Sequence, residues 1–375
     1  MRRRLLAPYA LGALLPLGAV LALATGGAQP AAAVAGAGPR LAASGLVGNL
    51  SAIAATSSRN AWAVGTFFKG TTYYDTSEYT LTEHWDGTRW RRVHSPTPGF
   101  NGALMDIAAD SGGGAWAVGF TDIYHVIPQQ SVILRWDGTA WRQAPTPDPQ
   151  ATHLTGVATF AGKGAWATGA IPQDSPTPPP TIIERWDGTA WLQVPGVRPA
   201  QNASLSDVAA TSPRNAWAVG SNLYNPLVEH WNGTSWQPTT GTLNGGFNAV
   251  AATSARNAWA VGSTLDNPLI EHWNGTAWRR IPSPSPGSQA HLYDVAAVTA
   301  RDAWAVGDYT ANTGIKALIL HWDGTAWHRV SGVPGEELRG VAAVSAGDVW
   351  AVGATGTGTL ILHWTGIRWQ RVAAP

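Results

Sequence analysis

The stretch LSDVAATSPRNAWAVG, Leu205 to Gly220, followed after a short link by LVEHWNGTSW, Leu227 to Trp236, decides the fold. β-Branched and aromatic residues stand there between clusters of Gly, Pro, Asn and Asp, the pattern of short strands separated by turns. LSDVAATS reads as a first strand, NAWAVG as a second, LVEHW as a third and the segment from Trp236 as a fourth. Asn232-Gly233, between the last two, is the strongest short-range signal for a tight type I′ hairpin. In the first copy of the pattern the same turn predicts that Trp85 pairs with Thr88 and Glu83 with Trp90. The inner strands are poor in bulk, with Ala61, Ala63 and Gly65 on one face, and the outer ones are rich in Trp. That gradient suits a wedge-shaped blade around a narrow axis.

Outward from this unit the same features recur along the chain. WAVG, with small variations, stands at Trp62, Trp116, Trp166, Trp217, Trp259, Trp304 and Trp350. Each copy is followed by a Trp-Asp/Asn-Gly-Thr-x-Trp pair, from Trp85/Trp90 to Trp322/Trp327, and by WTGIRW at Trp364/Trp369 in the last. An apolar anchor (Leu50, Leu104, Leu154, Leu205, Phe247, Leu292 or Leu338) precedes each WAVG tryptophan by 12 residues. Seven copies of three tryptophans account for all 21 in the chain. A period of 42 to 54 residues with four strands per unit predicts an all-β fold, a seven-bladed β-propeller of four-stranded antiparallel blades. Repeat 1 starts its own first strand near Leu50 and repeat 7 ends its own fourth near Val372. The ring should therefore close by packing of blade 1 on blade 7, with Leu41 to Asn49 not paired inside the last blade.

Composition narrows the class. The chain has 375 residues, 43 Gly, 26 Pro, no Cys and 13% charged residues. So many aromatics at so little charge exclude a disordered chain, and zero Cys excludes disulfides, a thiol nucleophile and a thiolate metal site. Met1-Arg2-Arg3-Arg4, an apolar run from Leu5 to Ala24 and small residues near Ala31 to Ala35 are the three parts of a secretory signal. The expected organisation is a signal peptide over 1–35, an Ala/Gly-rich linker over 36–48 and the propeller over 49–375. Loss of three arginines with the signal takes the formal charge from +1 to near −2, against a nucleic-acid partner. A secreted, extracellular protein is expected, monomeric and without a membrane contact in its mature form.

AWAVG at Ala303 to Gly307 followed by ILHWDGTAW at Ile319 to Trp327 resembles the Asp-box, sialidase-type propellers and the photosystem II assembly-factor propellers of bacteria and plastids. The resemblance runs from Leu50 to Val372 and implies architecture. Activity does not travel with a fold.

Departures from the repeat indicate where function lies. Strand direction alternates in a meander, so the links from strand one to two and from three to four emerge on one face. Those links are constant in length. On the opposite face, the spacing from the WAVG tryptophan to the hairpin tryptophan runs 23, 20, 20, 14, 14, 18 and 14 residues. Insertions confined to one face of a repeat protein mark a binding surface. Tyr73, Tyr74, Tyr79, Tyr124, Tyr224 and Tyr309 all fall in these variable links, whereas Tyr293 does not. The candidate ligand-binding set is Tyr73, Tyr74, Asp75, Asp122, Tyr124 and His125, an aromatic edge over blades 1 and 2 suited to a sugar chain or an extended peptide.

Catalytic signals are sparse. The hairpin acids Asp86, Asp137, Asp187 and Asp323 alternate with Asn232 and Asn274, as a turn-forming role requires. His84, His230, His272, His321 and His363 share one repeat position with Arg135 and Arg185, which suits a polar contact between blades. Asp106, Asp207 and Asp294 recur two residues after the anchor, where they gather a cation or cap their own links; no metal ligand is assigned. The symmetry-breaking acids Asp75, Glu78, Asp122, Asp174, Asp308, Glu336 and Glu337 show no spacing that forces two together. No catalytic residue and no cofactor is assigned. The sequence thus reads as a secreted binding or interaction module for an extracellular glycan or protein. The alternatives are an exported carbohydrate-active hydrolase or lyase and a scaffold for another exported protein. Convergence of two or three symmetry-breaking acids with an arginine in one pocket is the arrangement that the enzyme needs.

Overall fold

The computed structural model describes residues 47–69, 77–99, 101–123, 126–147, 153–160, 164–170, 181–197, 203–222, 225–239, 244–331, 335–356 and 358–375. Within them 28 strands form seven four-stranded sheets, each from four consecutive strands. Blade 1 consists of β1 (Val47–Ser57), β2 (Asn60–Lys69), β3 (Ser77–Trp85) and β4 (Trp90–Val93), paired antiparallel in that order. The protein is the all-β seven-bladed propeller that the repeat predicts. Val47 pairs with Phe68 of its own blade, and the last blade takes its four strands from Glu337 to Arg371. No blade is shared.

Tryptophan holds the blades to one another. Trp217 of blade 4 reaches into blade 5, where its ring lies 4.9 Å from Trp273 and meets Trp278 edge to face at 5.2 Å and 87°. The same three-ring contact recurs at all seven junctions, at 4.7–5.3 Å for the first partner and 5.1–5.5 Å for the second. Edge-to-face indoles add packing specificity to a large buried apolar area. The ring closes in the same way, with Trp350 of blade 7 against Trp85 and Trp90 of blade 1. The third-strand tryptophan also fixes the turn beneath it, since the Trp231 Nε1–H donates to the Pro213 carbonyl at 3.1 Å.

The glycine that ends WAVG is set by the inner strand. Each inner strand slips register just after its anchor, for example between Leu50 and Ala52 and between Leu205 and Asp207. The extra residue bends the strand and presses its backbone onto the second strand. A Cβ added to Gly65 would lie 2.0 Å from the Asn49 carbonyl oxygen, and the equivalent distance is 1.9–2.1 Å in the other six blades. Only glycine permits that approach.

The hairpin between third and fourth strands differs from the two-residue turn expected. Trp85 pairs directly with Trp90, which leaves the four residues from Asp86 to Arg89 as the loop. Asp86 Oδ1 accepts the Thr88 N–H at 2.9 Å, the Thr88 hydroxyl and the Arg89 N–H at 3.0 Å, while Gly87 takes φ +90°. The side-chain acceptor thus out-competes the type I′ geometry. Asn232 and Asn274 offer the same Oδ1 to the same three donors, so Asp and Asn interchange freely.

Candidate functional site

The inner-strand bulge places one side chain per blade around the axis near the variable face: Ser51, Met105, Thr155, Ser206, Asn248, Tyr293 and Arg339. All seven border a cavity of about 80 Å³ at the channel mouth. Two neighbours in the ring are large, Tyr293 of blade 6 and Arg339 of blade 7. The Arg339 guanidinium lies 4.3 Å over the Tyr293 ring and forms an ion pair with Glu337. The Tyr293 hydroxyl is 3.4 Å from both carboxyl oxygens of Asp308, and the His291 ring stacks on Tyr293 at 6.2 Å. Burial, with the Glu337 charge beside it, raises Asp308 to about 6. Burial and the Asp308 charge push the Tyr293 hydroxyl well above its usual range. The phenol is therefore a held proton donor, and Asp308 titrates near neutrality.

Sequence reading set Tyr293 aside as the tyrosine outside the variable links and did not pick out Arg339. The usable signal was the residue following each anchor, which reads S, M, T, S, N, Y, R from blade 1 to blade 7. Asp308, Glu337 and an arginine do converge, which is the arrangement set above as the mark of an enzyme.

The three axial aspartates act between blades. Asp207 Oδ1 accepts its own blade's Val208 N–H at 2.6 Å, and Oδ2 accepts the Val250 N–H of the next blade at 2.8 Å. Asp106 bridges in the same way to Val157, and Asp294 to Val341. Burial raises Asp106 to about 7 and Asp294 to about 8; burial, then the charges of the other two, raises Asp207 strongly. With both carboxyl oxygens already engaged, the cation-gathering arrangement weighed from sequence has no support. Among the described residues no group of three or more His, Asp or Glu is placed to hold a metal ion.

Tyr73, Tyr74, Asp75, Tyr124 and His125 lie outside the described residues. Asp122 is in the second strand of blade 2, paired with Asn101. The structure does show that the long links of blades 1 and 2 are extended hairpins, with pairing that continues to Lys69/Ser77 and to Ile123/Val126. Tyr79 packs in this extension, stacked on Phe67 at 5.0 Å.

The shared His/Arg position makes its polar contact within a blade, contrary to the expectation of a contact between blades. His230 Nε2 bonds Asn215 Oδ1 at 2.8 Å across the second and third strands, with its ring flat on Trp217 at 4.1 Å. His84, His272, His321 and His363 make the same pairing with Asn60, Asn257, Asp302 and Asp348. Burial lowers His84, His230 and His272, which keeps these imidazoles neutral.

No known protein family matches the sequence, and no curated protein does. Solved structures do. "YCF48 bound to D1 peptide" superposes with TM-score 0.53 at 16% identity, covering 76% of this chain and 85% of that one. YCF48 from Cyanidioschyzon merolae gives 0.52 at 16% identity over 84% and 95%. Virginiamycin B lyase from Staphylococcus aureus gives 0.57 at 13% identity over 84% and 93%. At these identities the likeness is one of fold.

Proposed function

We propose that the protein is an exported binding module that engages an extracellular peptide or glycan across its variable face, at and beside the channel mouth. The observation that carries this reading is the break in the bulge ring at Tyr293 and Arg339. Five blades present short or flexible side chains there, and two adjacent blades present a preassembled cluster of aromatic, cationic and acidic groups. A cavity of about 80 Å³ admits a side chain or a few waters and cannot bury a sugar ring. A ligand would therefore lie across the mouth, toward blades 1 and 2, in whose long variable links the sequence places Tyr73, Tyr74, Asp75, Asp122, Tyr124 and His125. YCF48, similar in fold, has a structure bound to a D1 peptide, which supports a peptide among the candidate ligands.

Convergence of Asp308, Glu337 and Arg339 favours a second reading, an exported carbohydrate-active enzyme. Against it, Tyr293 is kept protonated and is a poor nucleophile, and Glu337, the carboxylate beside Asp308 among the described residues, is ion-paired with Arg339. Peptide and glycan arrays probed with the purified chain separate the two. The binding module retains a discrete ligand set unchanged on prolonged incubation, and loses it in Tyr293→Phe/Arg339→Met. Release of reducing ends or unsaturated sugar from any captured glycan would overturn the proposal in favour of the enzyme.

A further inference from the structure

Blades 2 and 3 break the repeat on the face whose link lengths are constant, and they break it in the same two places. Where five blades pair a β-strand histidine with Asn or Asp at the start of the second strand, blade 2 has Arg135 and Gly114 and blade 3 has Arg185 and Gly164. A satisfied pair is thus replaced twice by a cation whose partner side chain has been deleted. The Arg135 guanidinium lies 5.2 Å over Trp116 and 5.6 Å over Trp186, and Arg185 lies 5.2 Å over Trp166. Among the described residues neither guanidinium has an ion-pair or hydrogen-bond partner.

A cleft of about 590 Å³ opens at this position between blades 2 and 3. Its walls include Trp116, Trp136, Trp186 and Phe160, with Arg135 at the side. Gly164 is required for the Phe160 wall, because a Cβ there would lie 2.2 Å from the Phe160 ring. Asp110 and Asp137 also line the cleft; Asp110 Oδ1 and both oxygens of Asp137 already accept bonds from their own loops and strands.

We propose that this cleft is a second binding site, on the face opposite the channel mouth, for a uronate-bearing saccharide. A guanidinium stacked on indole keeps its in-plane N–H edge free, and that edge matches a carboxylate in two parallel hydrogen bonds. Flat indole and phenyl walls suit the C–H faces of a pyranose ring. Asp110 Oδ1 is taken up by its own loop, which leaves Oδ2 to accept a hydrogen bond from a sugar hydroxyl. The volume matches one to two sugar rings. The site is independent of the mouth reading, since no residue is shared.

Calorimetry with digalacturonate tests it, with galactobiose as the neutral ring control and a tripeptide with a free C-terminus as the competing carboxylate source. Digalacturonate should bind at micromolar to millimolar concentration, more weakly as salt rises, and Arg135→Met should weaken it at least about tenfold. Galactobiose should give no heat, and Arg256→Met, on the same face but in blade 5, should bind digalacturonate as wild type does. Arg135→His with Gly114→Asn restores the residue pair of the other five blades and should abolish binding, while displacing Asp110, whose Oδ2 a Cβ at Gly114 would meet at 2.6 Å; Arg135→Met leaves the glycine loop intact should that double variant not fold. Four results would overturn the proposal: no digalacturonate binding at millimolar concentration, full affinity in Arg135→Met, equal affinity for galactobiose, or a tripeptide that binds more tightly with the same Arg135 dependence.

Discussion

Trp217 is fully buried, with His230 of its own blade flat on one side and the rings of Trp273 and Trp278 of the next blade on the other. Trp217→Ala leaves a cavity shared by two blades, which costs about 3–5 kcal/mol. Chemical denaturation should show that loss, and a much smaller one for Trp273→Ala, whose ring keeps an edge in water; equal losses would mean that the junction is not organised around the WAVG indole. The axial aspartates make a second residue-scale prediction. Folding raises Asp106 to about 7 and Asp294 to about 8 from an ordinary value near 4, and it raises Asp207 too. The folded chain then holds more protons than the unfolded one between pH about 4 and about 8. The contribution of these three acids to stability is thus full below about pH 4 and falls as pH rises through that window. Asp308, raised to about 6, and Glu83, raised by burial to about 7, act in the same direction. His84, His230 and His272, lowered by burial, act in the opposite direction near their ordinary value, so the difference between variants is the test. From pH 5 to pH 8 the melting temperature of Asp294→Asn should fall less, or rise more, than that of the wild type, and an unchanged slope would place the titration elsewhere. The acids themselves were visible in the sequence. Their role was not, because the Val250 and Val341 N–H groups that they bind belong to a different repeat.

Four-residue Asx loops between third and fourth strands recur with one exception. Blade 7 has Thr365-Gly366-Ile367-Arg368, which lacks the Oδ1 acceptor and leaves Ile367 85% exposed. Thr365→Asp with Ile367→Thr restores the loop of the other blades, and should raise the melting temperature by roughly 1–3 °C. No gain would show that the Asx acceptor contributes nothing to the hairpin. The hairpin illustrates what the sequence made legible at this scale. Asp-Gly announced the turn and its place, but Thr88 decided its length, since its hydroxyl and N–H complete the Oδ1 acceptor set and draw the pairing out to Trp85 and Trp90. The His/Arg position was equally visible as a repeat, yet its Asn or Asp partner lies a whole strand away in sequence, so its blade could not be read.

Seven junctions share the indole contact but not the inner-strand bridges. Aspartates cross from blade 2 to 3, 4 to 5 and 6 to 7, while the Thr155 hydroxyl donates to Leu205 O at 2.9 Å and Asn248 Nδ2 to Leu292 O at 2.7 Å across two more. Among the described residues no side chain at these positions bridges blade 7 to 1 or blade 1 to 2. Blade 1 should therefore open first, with amides of β1 and β2 exchanging faster than their counterparts in blades 4 and 5; uniform protection would contradict this. Fold was legible because 21 tryptophans mark every blade. The mouth cluster and the Arg135 cleft were not, because both come from residues of adjacent repeats that meet only when the ring closes. If repeated positions build the ring and departures from the repeat meet ligand, a hydrogen-exchange footprint with an array-selected ligand decides the matter. Protection should rise in the segments that carry Tyr293, Asp308 and Arg339, or around Arg135 for an acidic sugar, with the repeated hairpins unchanged. Protection confined to the repeated Asp/Asn-Gly-Thr hairpins, with both of those regions unaltered, would contradict the account.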